Sequence, residues 1–289
     1  MIVDQHTPND PASMGGRPVT FAEVMGRSVY GTAGYLSEPH DLIALERVIV
    51  HNLPVLGLFR RVVVATNYGD CGRAELATGN AALWRRYFPD CVLLDSPVNR
   101  GHSVGTSDLD NLLFDYCSRS GVEWLCKSSN DVLLSARVLQ IPVVDAAFYY
   151  LNAVSYNMLR TRDFDLDYFA RGFLFPQTTF YAIDVSTTDY LVDKEFLERS
   201  WEHVQRIPNY SGRIWEYVPG WSCEYLLRQT VLRNELTRSH LMSDDQWQQI
   251  LHLVIHHRIT DCSFKDIQIN GICHTDGLTD SPNLLAVVS

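Results

Sequence analysis

The stretch that decides the fold is Gly121-Val-Glu-Trp-Leu-Cys-Lys-Ser-Ser-Asn-Asp-Val-Leu-Leu134. An apolar run reaches a short polar turn that ends at Asp131, and a second apolar run leaves it. The pattern predicts a buried strand with Asp131 just beyond its carboxyl end. Ligands bind at such strand ends in α/β proteins. Ser, Asn and Asp are also common in ordinary turns, because they bond their own backbone, so the flanking chain has to decide.

The chain before this stretch alternates between strands and helices. Predicted strands at 27–35, 61–66 and 91–94 are each followed by a polar loop and a helical pattern. The first helix is expected to open at Ser37, with Pro39 in its first turn. The alternation predicts an α/β fold, a mostly parallel sheet with helices on both faces. Its strand-end loops would meet at one edge, which is the natural ligand crevice; they are 32–35, 67–70, 99–101 and 129–131.

The second half of the chain is less regular. Strands are predicted at 148–154 and 178–183, and helices at 193–206, 222–234 and 243–256. Residues 1–18 are expected to be a flexible arm, because proline and glycine are frequent there. We expect one domain over 19–289, with a nucleotide-binding half at about 27–135 and an acceptor-binding half at about 136–289.

The composition limits the possible functions. The 289 residues are 46% hydrophobic and 20% charged, which suits a globular fold with a sizeable core. The formal net charge is −10, so binding to a nucleic acid backbone is not expected. The seven cysteines form no CxxC pair and indicate reduced, mostly buried thiols. No transmembrane run or signal peptide is recognisable, so a cytoplasmic protein is expected.

Several glycine motifs are missing. The chain has no GxGxxG after the first strand, no P-loop and no GxSxG elbow. Dinucleotide sites, P-loop phosphate sites and α/β-hydrolase chemistry are therefore disfavoured. A diphosphate in a crevice without a glycine cradle needs positive charge, which a divalent cation on Asp131 would supply. Oxygen ligands favour Mn²⁺ or Mg²⁺.

The order of these motifs resembles the nucleotide-sugar-binding fold of GT-A glycosyltransferases. The matching segments are 29–34, Asn67-Tyr-Gly-Asp70, Asn99-Arg-Gly101 and 124–131. The resemblance places the family's Asp-x-Asp motif on Ser129-Asn130-Asp131, where the first acid is a serine. It implies a metal at Asp131, with His274 as a second ligand. It also implies donor contacts from nine residues: Thr32, Ala33, Gly34, Asn67, Asp70, Asn99, Gly101, Ser129 and Asn130.

The resemblance also implies an acceptor-activating base at the start of a helix in the second half, and Glu224 fits. A partly buried glutamate can act as a general base. An i,i+4 ion pair between Glu224 and Arg228 is an equally good interpretation. Asp184 and Asp189 are reserve candidates. An aromatic run could form a sugar-stacking wall or pack in the core: Trp215, Tyr217 and Trp221.

The resemblance therefore implies a glycosyltransferase that moves a sugar from a nucleotide-diphosphate sugar to a hydroxyl of a glycan or other glycoconjugate acceptor. Because Ser129 leaves one carboxylate, a metal-independent reaction is an alternative, in which Lys127 or an arginine would neutralise the phosphates. The other interpretation of Lys127 is a solvated charge at a strand end. Two further functions stay open: a nucleotidyltransferase, and a non-catalytic protein that binds nucleotide sugars or carbohydrates.

Overall fold

The computed structural model of the protein describes residues 18–68, 73–101, 103–152, 174–209, 222–257 and 270–274. Seven helices lie within these ranges: α1 Phe21–Arg27, α2 Asp41–Leu56, α3 Ala74–Tyr87, α4 Ser103–Arg119, α5 Lys194–Val204, α6 Cys223–Arg233 and α7 Asp244–His257. The strands of the same ranges are β1 Pro18–Thr20, β2 Ser28–Ala33, β3 Val62–Thr66, β4 Val92–Asp95, β5 Trp124–Ser129, β6 Val132–Leu134, β7 Pro142–Val144, β8 Phe148–Asn152, β9 Pro176–Asp184, β10 Arg238–His240 and β11 Ile272–His274.

A central sheet of seven strands has the order β10-β8-β9-β5-β2-β3-β4. β5, β2, β3 and β4 pair in parallel, while β9 runs antiparallel to both of its neighbours. β8 and β10 pair in parallel with each other. The predicted α/β fold with a mostly parallel sheet is confirmed.

The sheet separates two apolar clusters. Buried side chains of α1, α2, α3 and α7 pack on one face, and those of α4, α5 and α6 pack on the other. Neighbouring side chains of β2 point to opposite faces, so Tyr30 joins the first cluster and Val29 the second. Helices therefore cover both faces, as the alternating pattern predicted.

The start of α2 differs from the prediction. The helix begins at Asp41, so Ser37 and Pro39 precede it. The Asp41 carboxylate accepts hydrogen bonds from the backbone N–H groups of Ser37 and Glu38, at 2.7 and 2.9 Å. Ser37 is therefore not the helix cap. It lies in a turn that Asp41 closes from inside the helix.

The sequence prediction missed α1, a helix of seven residues. Thr20 and Glu23 form a capping box at its start, in which the Thr20 N–H donates to Glu23 Oε2 at 3.0 Å. Thr20-x-x-Glu23 was the signal that could have revealed this helix.

Four of the described cysteines are buried, and Cys91 is half-buried. All five are free thiols. Burial raises the pKa of Cys117 to about 12, which keeps this thiol protonated and unreactive at neutral pH. The prediction of mostly buried thiols is confirmed for these five. Among the helices in the described ranges, none is long and apolar enough to cross a membrane.

His240 gives the fold a dependence on pH. Its ring packs against those of Tyr150 and Trp247, with centroids 5.0 and 5.6 Å away, and its Nε2 accepts from the Asn152 N–H at 3.1 Å. Burial lowers the pKa of His240 to about 3, because the charged imidazolium is poorly solvated there.

We expect stability to fall as the pH drops from about 6.5 towards 3. The unfolded state binds a proton in this window and the folded state does not, so the free energy of unfolding falls by up to about 1.4 kcal/mol per pH unit. Urea denaturation of the wild type, His240→Gln and the exposed control His203→Gln at several pH values tests this. An equal pH slope in His240→Gln and the wild type would contradict it.

Candidate functional site

The candidate site lies where the strand order reverses. The chain passes from β2 to β3 and β4 on one side, and then returns to β5 on the other side of β2. Thr32 pairs with Ser128, and Ala33 pairs with Ser129, so β2 and β5 end at the same level. A crevice between the ends of two such strands is the preferred ligand position in open α/β sheets. Of the predicted donor contacts, Thr32 and Ala33 are buried, whereas Gly34, Ser129 and Asn130 are half-buried.

Gly34 and Asn130 are in close contact across this crevice. A Cβ atom added to Gly34 would lie 2.3 Å from Asn130 Nδ2 and 2.8 Å from Asn130 Cβ. The turn after β5 can therefore close onto β2 only because residue 34 has no side chain. The structure brings these two predicted contacts together.

Gly34→Ala is expected to lower the free energy of unfolding by about 1–3 kcal/mol, because the added methyl group overlaps the Asn130 side chain. Asn130→Gly removes the overlapping atoms, so the double variant Gly34→Ala/Asn130→Gly should regain most of that loss. Urea denaturation of both variants measures this. If the double variant is no more stable than Gly34→Ala, the overlap is not the cause.

Asp131 is held by the short strand that follows it. Asn52 on α2 clamps β6, with its Nδ2 donating to the Val132 carbonyl at 2.8 Å and its Oδ1 accepting from the Leu134 N–H at 2.7 Å. β6 also pairs with β11, where His274 is opposite Val132. Asp131 therefore precedes by one residue the position on β6 that pairs with His274, the second predicted metal ligand.

The surroundings of Asp131 bear on its predicted metal role. Asp131 is half-buried, and its charge adds to burial in raising the pKa of Tyr30. Within the described ranges, no three side chains of His, Cys, Asp or Glu gather as a metal site. One carboxylate suits Mn²⁺ or Mg²⁺ only when ligand oxygens complete the shell. The metal roles of Asp131 and His274 therefore stay predictions.

The loops after β3 and β4 are joined by two asparagines. Asn67 Nδ2 donates to Asn99 Oδ1 at 3.3 Å, and the Gly101 N–H donates to the same oxygen at 2.9 Å. Gly101 has a φ of 73°, a conformation that favours glycine. The structure thus brings the predicted contacts Asn67, Asn99 and Gly101 together at the carboxyl edge. Asp70 lies outside the described residues.

Arg73 places a positive charge beside the loop that follows β2, although it lies far from that loop in the sequence. The Arg73 guanidinium lies 5.4 Å from the centre of the Tyr35 ring and donates to the Ser37 carbonyl. Tyr35 stacks on Tyr68 at 5.4 Å, and the Tyr68 hydroxyl accepts from the Leu36 N–H at 2.9 Å. The sequence of the loop itself has no basic residue, so this arginine was missed.

Glu224 lies in the first turn of α6, as predicted. Its Oε1 accepts from Thr178 Oγ1 at 3.0 Å, and its Oε2 accepts from Cys223 Sγ at 3.3 Å. Because Phe180 pairs with Ser128, Thr178 is level with the turn that follows β5. Glu224 therefore belongs to the same edge of the sheet as Asp131. Arg228, the alternative partner, donates its Nε hydrogen to the Leu174 carbonyl at 2.9 Å.

Lys127 does not fit the prediction of a solvated charge. Its side chain is 1% exposed, and its Nζ lies 3.3 Å from Asp110 Oδ1 and donates to the Thr178 carbonyl. Asp110 Oδ2 accepts from the Tyr181 hydroxyl at 3.1 Å. Burial raises the pKa of Asp110, and the Lys127 ammonium opposes part of that rise. In this arrangement the Lys127 ammonium is engaged inside the protein.

Sequence reasoning missed Asp110, Thr178 and Tyr181. One signal was available, because Asp110 shares the buried stripe of α4 with Leu113 and Phe114 at helical spacing. An acid on an apolar helix face and a lysine inside an apolar strand together indicate a buried pair.

Asp184, one of the two reserve base candidates, lies far from this edge of the sheet. Asp184 ends β9 and pairs with Trp124, which begins β5, so it lies at the opposite edge of the sheet. It caps a short turn there, accepting from the Ser186 N–H at 2.9 Å. Asp189 follows that turn, further along the chain. The aromatic run of Trp215, Tyr217 and Trp221 lies outside the described residues.

No protein-family model and no curated protein matches the chain. Among solved structures, it is similar to the nucleoside-diphosphate-sugar pyrophosphorylase from Vibrio cholerae at 8% identity, over 73% of this chain and 90% of that chain, with a TM-score of 0.39. Similarity at this level does not establish a shared activity.

Proposed function

We propose that the protein is an enzyme that acts on a nucleotide-diphosphate sugar at the carboxyl edge of β2 and β5. The observation that carries this proposal is the presence of two carboxylates at one edge of the sheet. Asp131 follows β5 beside the Gly34–Asn130 contact, and Glu224 lies in the first turn of α6 next to Thr178. Asn67 and Asn99 offer polar contacts to a nucleotide along the same edge.

Glycosyl transfer is the reaction that the placement of Glu224 favours. The Glu224 carboxylate is half-buried and accepts two side-chain hydrogen bonds, so its oxygens are held in place. A carboxylate of this kind can take the proton of an acceptor hydroxyl as that oxygen attacks the sugar. A divalent cation at Asp131, when bound, would stabilise the diphosphate that leaves.

Nucleotidyl transfer is the second candidate, and Arg73 favours it. That reaction needs positive charge near the loop after the first strand of the site. The Arg73 guanidinium supplies it by lying over Tyr35 and bonding the Ser37 carbonyl. Arginine is well suited to phosphate oxygens because its planar group donates in two directions.

The products distinguish the two reactions. The protein is incubated with a set of nucleotide-diphosphate sugars and Mn²⁺, together with either a mixture of glycan acceptors or pyrophosphate, and the products are separated by mass. Glycosyl transfer releases the nucleoside diphosphate and extends an acceptor. Nucleotidyl transfer releases a nucleoside triphosphate and a sugar 1-phosphate. Tight donor binding with neither set of products would instead indicate a binding protein without catalysis.

A further inference from the structure

The buried pair of Lys127 and Asp110 is not explained by stability alone. Both side chains are almost fully enclosed, with exposed fractions of 1% and 4%. Removing two charges from water is costly, and apolar side chains of similar volume often give equal or greater stability. A pair of this kind at the edge of the candidate site therefore needs another explanation.

The lysine joins three elements at one point. Its Nζ lies 3.3 Å from Asp110 Oδ1 on α4 and donates to the Thr178 carbonyl on β9. Asp110 is itself fixed by the Tyr181 hydroxyl, also on β9, at 3.1 Å. These contacts link the carboxyl end of β5, where Lys127 lies, to β9, which carries Thr178.

Thr178 is also the residue that holds Glu224. Its backbone carbonyl accepts from Lys127, while its hydroxyl donates to Glu224 Oε1 at 3.0 Å. Cys223 Sγ lies 3.3 Å from the same hydroxyl and donates to Glu224 Oε2 at 3.3 Å. A continuous chain of contacts therefore runs from Asp110 through Lys127 and Thr178 to the Glu224 carboxylate.

We propose that Lys127 and Thr178 are positioning residues for Glu224. The lysine, held by Asp110, fixes the Thr178 backbone, and the Thr178 hydroxyl then sets the direction of the Glu224 carboxylate. This inference rests on the proposed function, because positioning matters for chemistry only if Glu224 is the base. A misplacement of about 1 Å at a reacting group can lower a rate about 10²-fold, so such support has a large effect.

The position of Glu224 can be measured without any substrate. In protein labelled with ¹³C at the glutamate side-chain carboxyl, the Glu224 resonance is the one that Glu224→Gln removes. Thr178→Val deletes the hydroxyl at nearly constant volume and is expected to shift this resonance, whereas Thr178→Ser keeps the hydroxyl and should leave it near its wild-type position. The double variant Lys127→Met/Asp110→Asn removes one charge of each sign, and it should shift the resonance in the same direction as Thr178→Val.

The outcomes separate this inference from the proposed function. If Thr178→Val shifts the Glu224 resonance and the Lys127 double variant does not, Lys127 is not a positioning residue. If neither variant shifts it, the whole inference is wrong. In the activity assay, both variants should lower kcat about 10²-fold with KM for the donor nearly unchanged. A wild type that consumes no donor would contradict the proposed function, while the resonance would still decide the positioning of Glu224.

Discussion

Lys127→Met is expected to lower the free energy of unfolding by about 3–5 kcal/mol, the largest stability change that we predict. The substitution keeps most of the length of the side chain but leaves the Asp110 carboxylate buried without its cation, and breaking a buried pair in this way is strongly destabilising. The effect should shrink at low pH. Burial already raises the pKa of Asp110, and the unpaired carboxyl can take up a proton as the pH falls.

Two further variants serve as controls for this prediction. Urea denaturation at pH 8 and pH 5 measures the free energy of unfolding of the wild type and of all three variants. Lys194, the first residue of α5, pairs at 2.5 Å with Asp115, which lies on α4 as Asp110 does. Because the Lys194 side chain is 56% exposed, Lys194→Met should change the free energy of unfolding by less than about 1 kcal/mol. Lys127→Met/Asp110→Asn removes both charges and should regain most of the loss. If Lys127→Met is no more destabilising than Lys194→Met, the loss of Lys127 does not leave a costly unpaired charge on Asp110, and the prediction is wrong.

Glu224→Gln is expected to lower kcat by about 10²–10⁴-fold, the usual contribution of a positioned general base. Glutamine keeps the size of the side chain and one oxygen acceptor for the Thr178 hydroxyl, so the fold and the affinity for the donor should be preserved. Steady-state kinetics with the preferred donor and acceptor measure the change. Glu202→Gln, an exposed substitution on α5, is the matched control.

A particular pattern of kinetic constants would contradict the role of Glu224. If Glu224→Gln raises KM and leaves kcat unchanged, the carboxylate only helps to bind substrate. If nucleotidyl transfer is the reaction, Glu224→Gln should have a small effect, and Arg73→Met should have the larger one. Comparing these two variants therefore tests the choice between the two candidate reactions.

The sequence predicted the parallel half of the sheet well, because its signals are local. Each of β2, β3, β4 and β5 is an apolar run bounded by polar residues, and the helices between them show clear helical spacing. The short strands β1, β6, β7, β10 and β11 are each three residues long. A pattern of three residues is too short to reveal a period.

The candidate site could be predicted only where its residues follow a strand or begin a helix. Asp131 and Glu224 could be placed at this edge because strand ends and helix starts can be read from the sequence. The contact of Lys127 with Thr178 spans 51 residues, and that of Asn52 with Leu134 spans 82. Such contacts depend on how helices and strands pack, and no local pattern encodes them. Lys127 was misjudged for this reason, since charged residues are mostly exposed when considered alone.

The central claim is that the carboxyl edge of β2 and β5 binds a nucleotide-diphosphate sugar. Its most direct test is thermal unfolding of the protein with a set of these compounds, in Mn²⁺ and in EDTA. The preferred donor should raise Tm of the wild type, because a ligand at 100 times its Kd stabilises by about 2.7 kcal/mol. Asp131→Ala should lose most of this shift, and the exposed control Asp90→Ala, before β4 at the opposite edge, should keep it. A shift that survives both EDTA and Asp131→Ala would exclude the metal role alone. If no nucleotide-diphosphate sugar raises Tm of the wild type, the central claim is wrong.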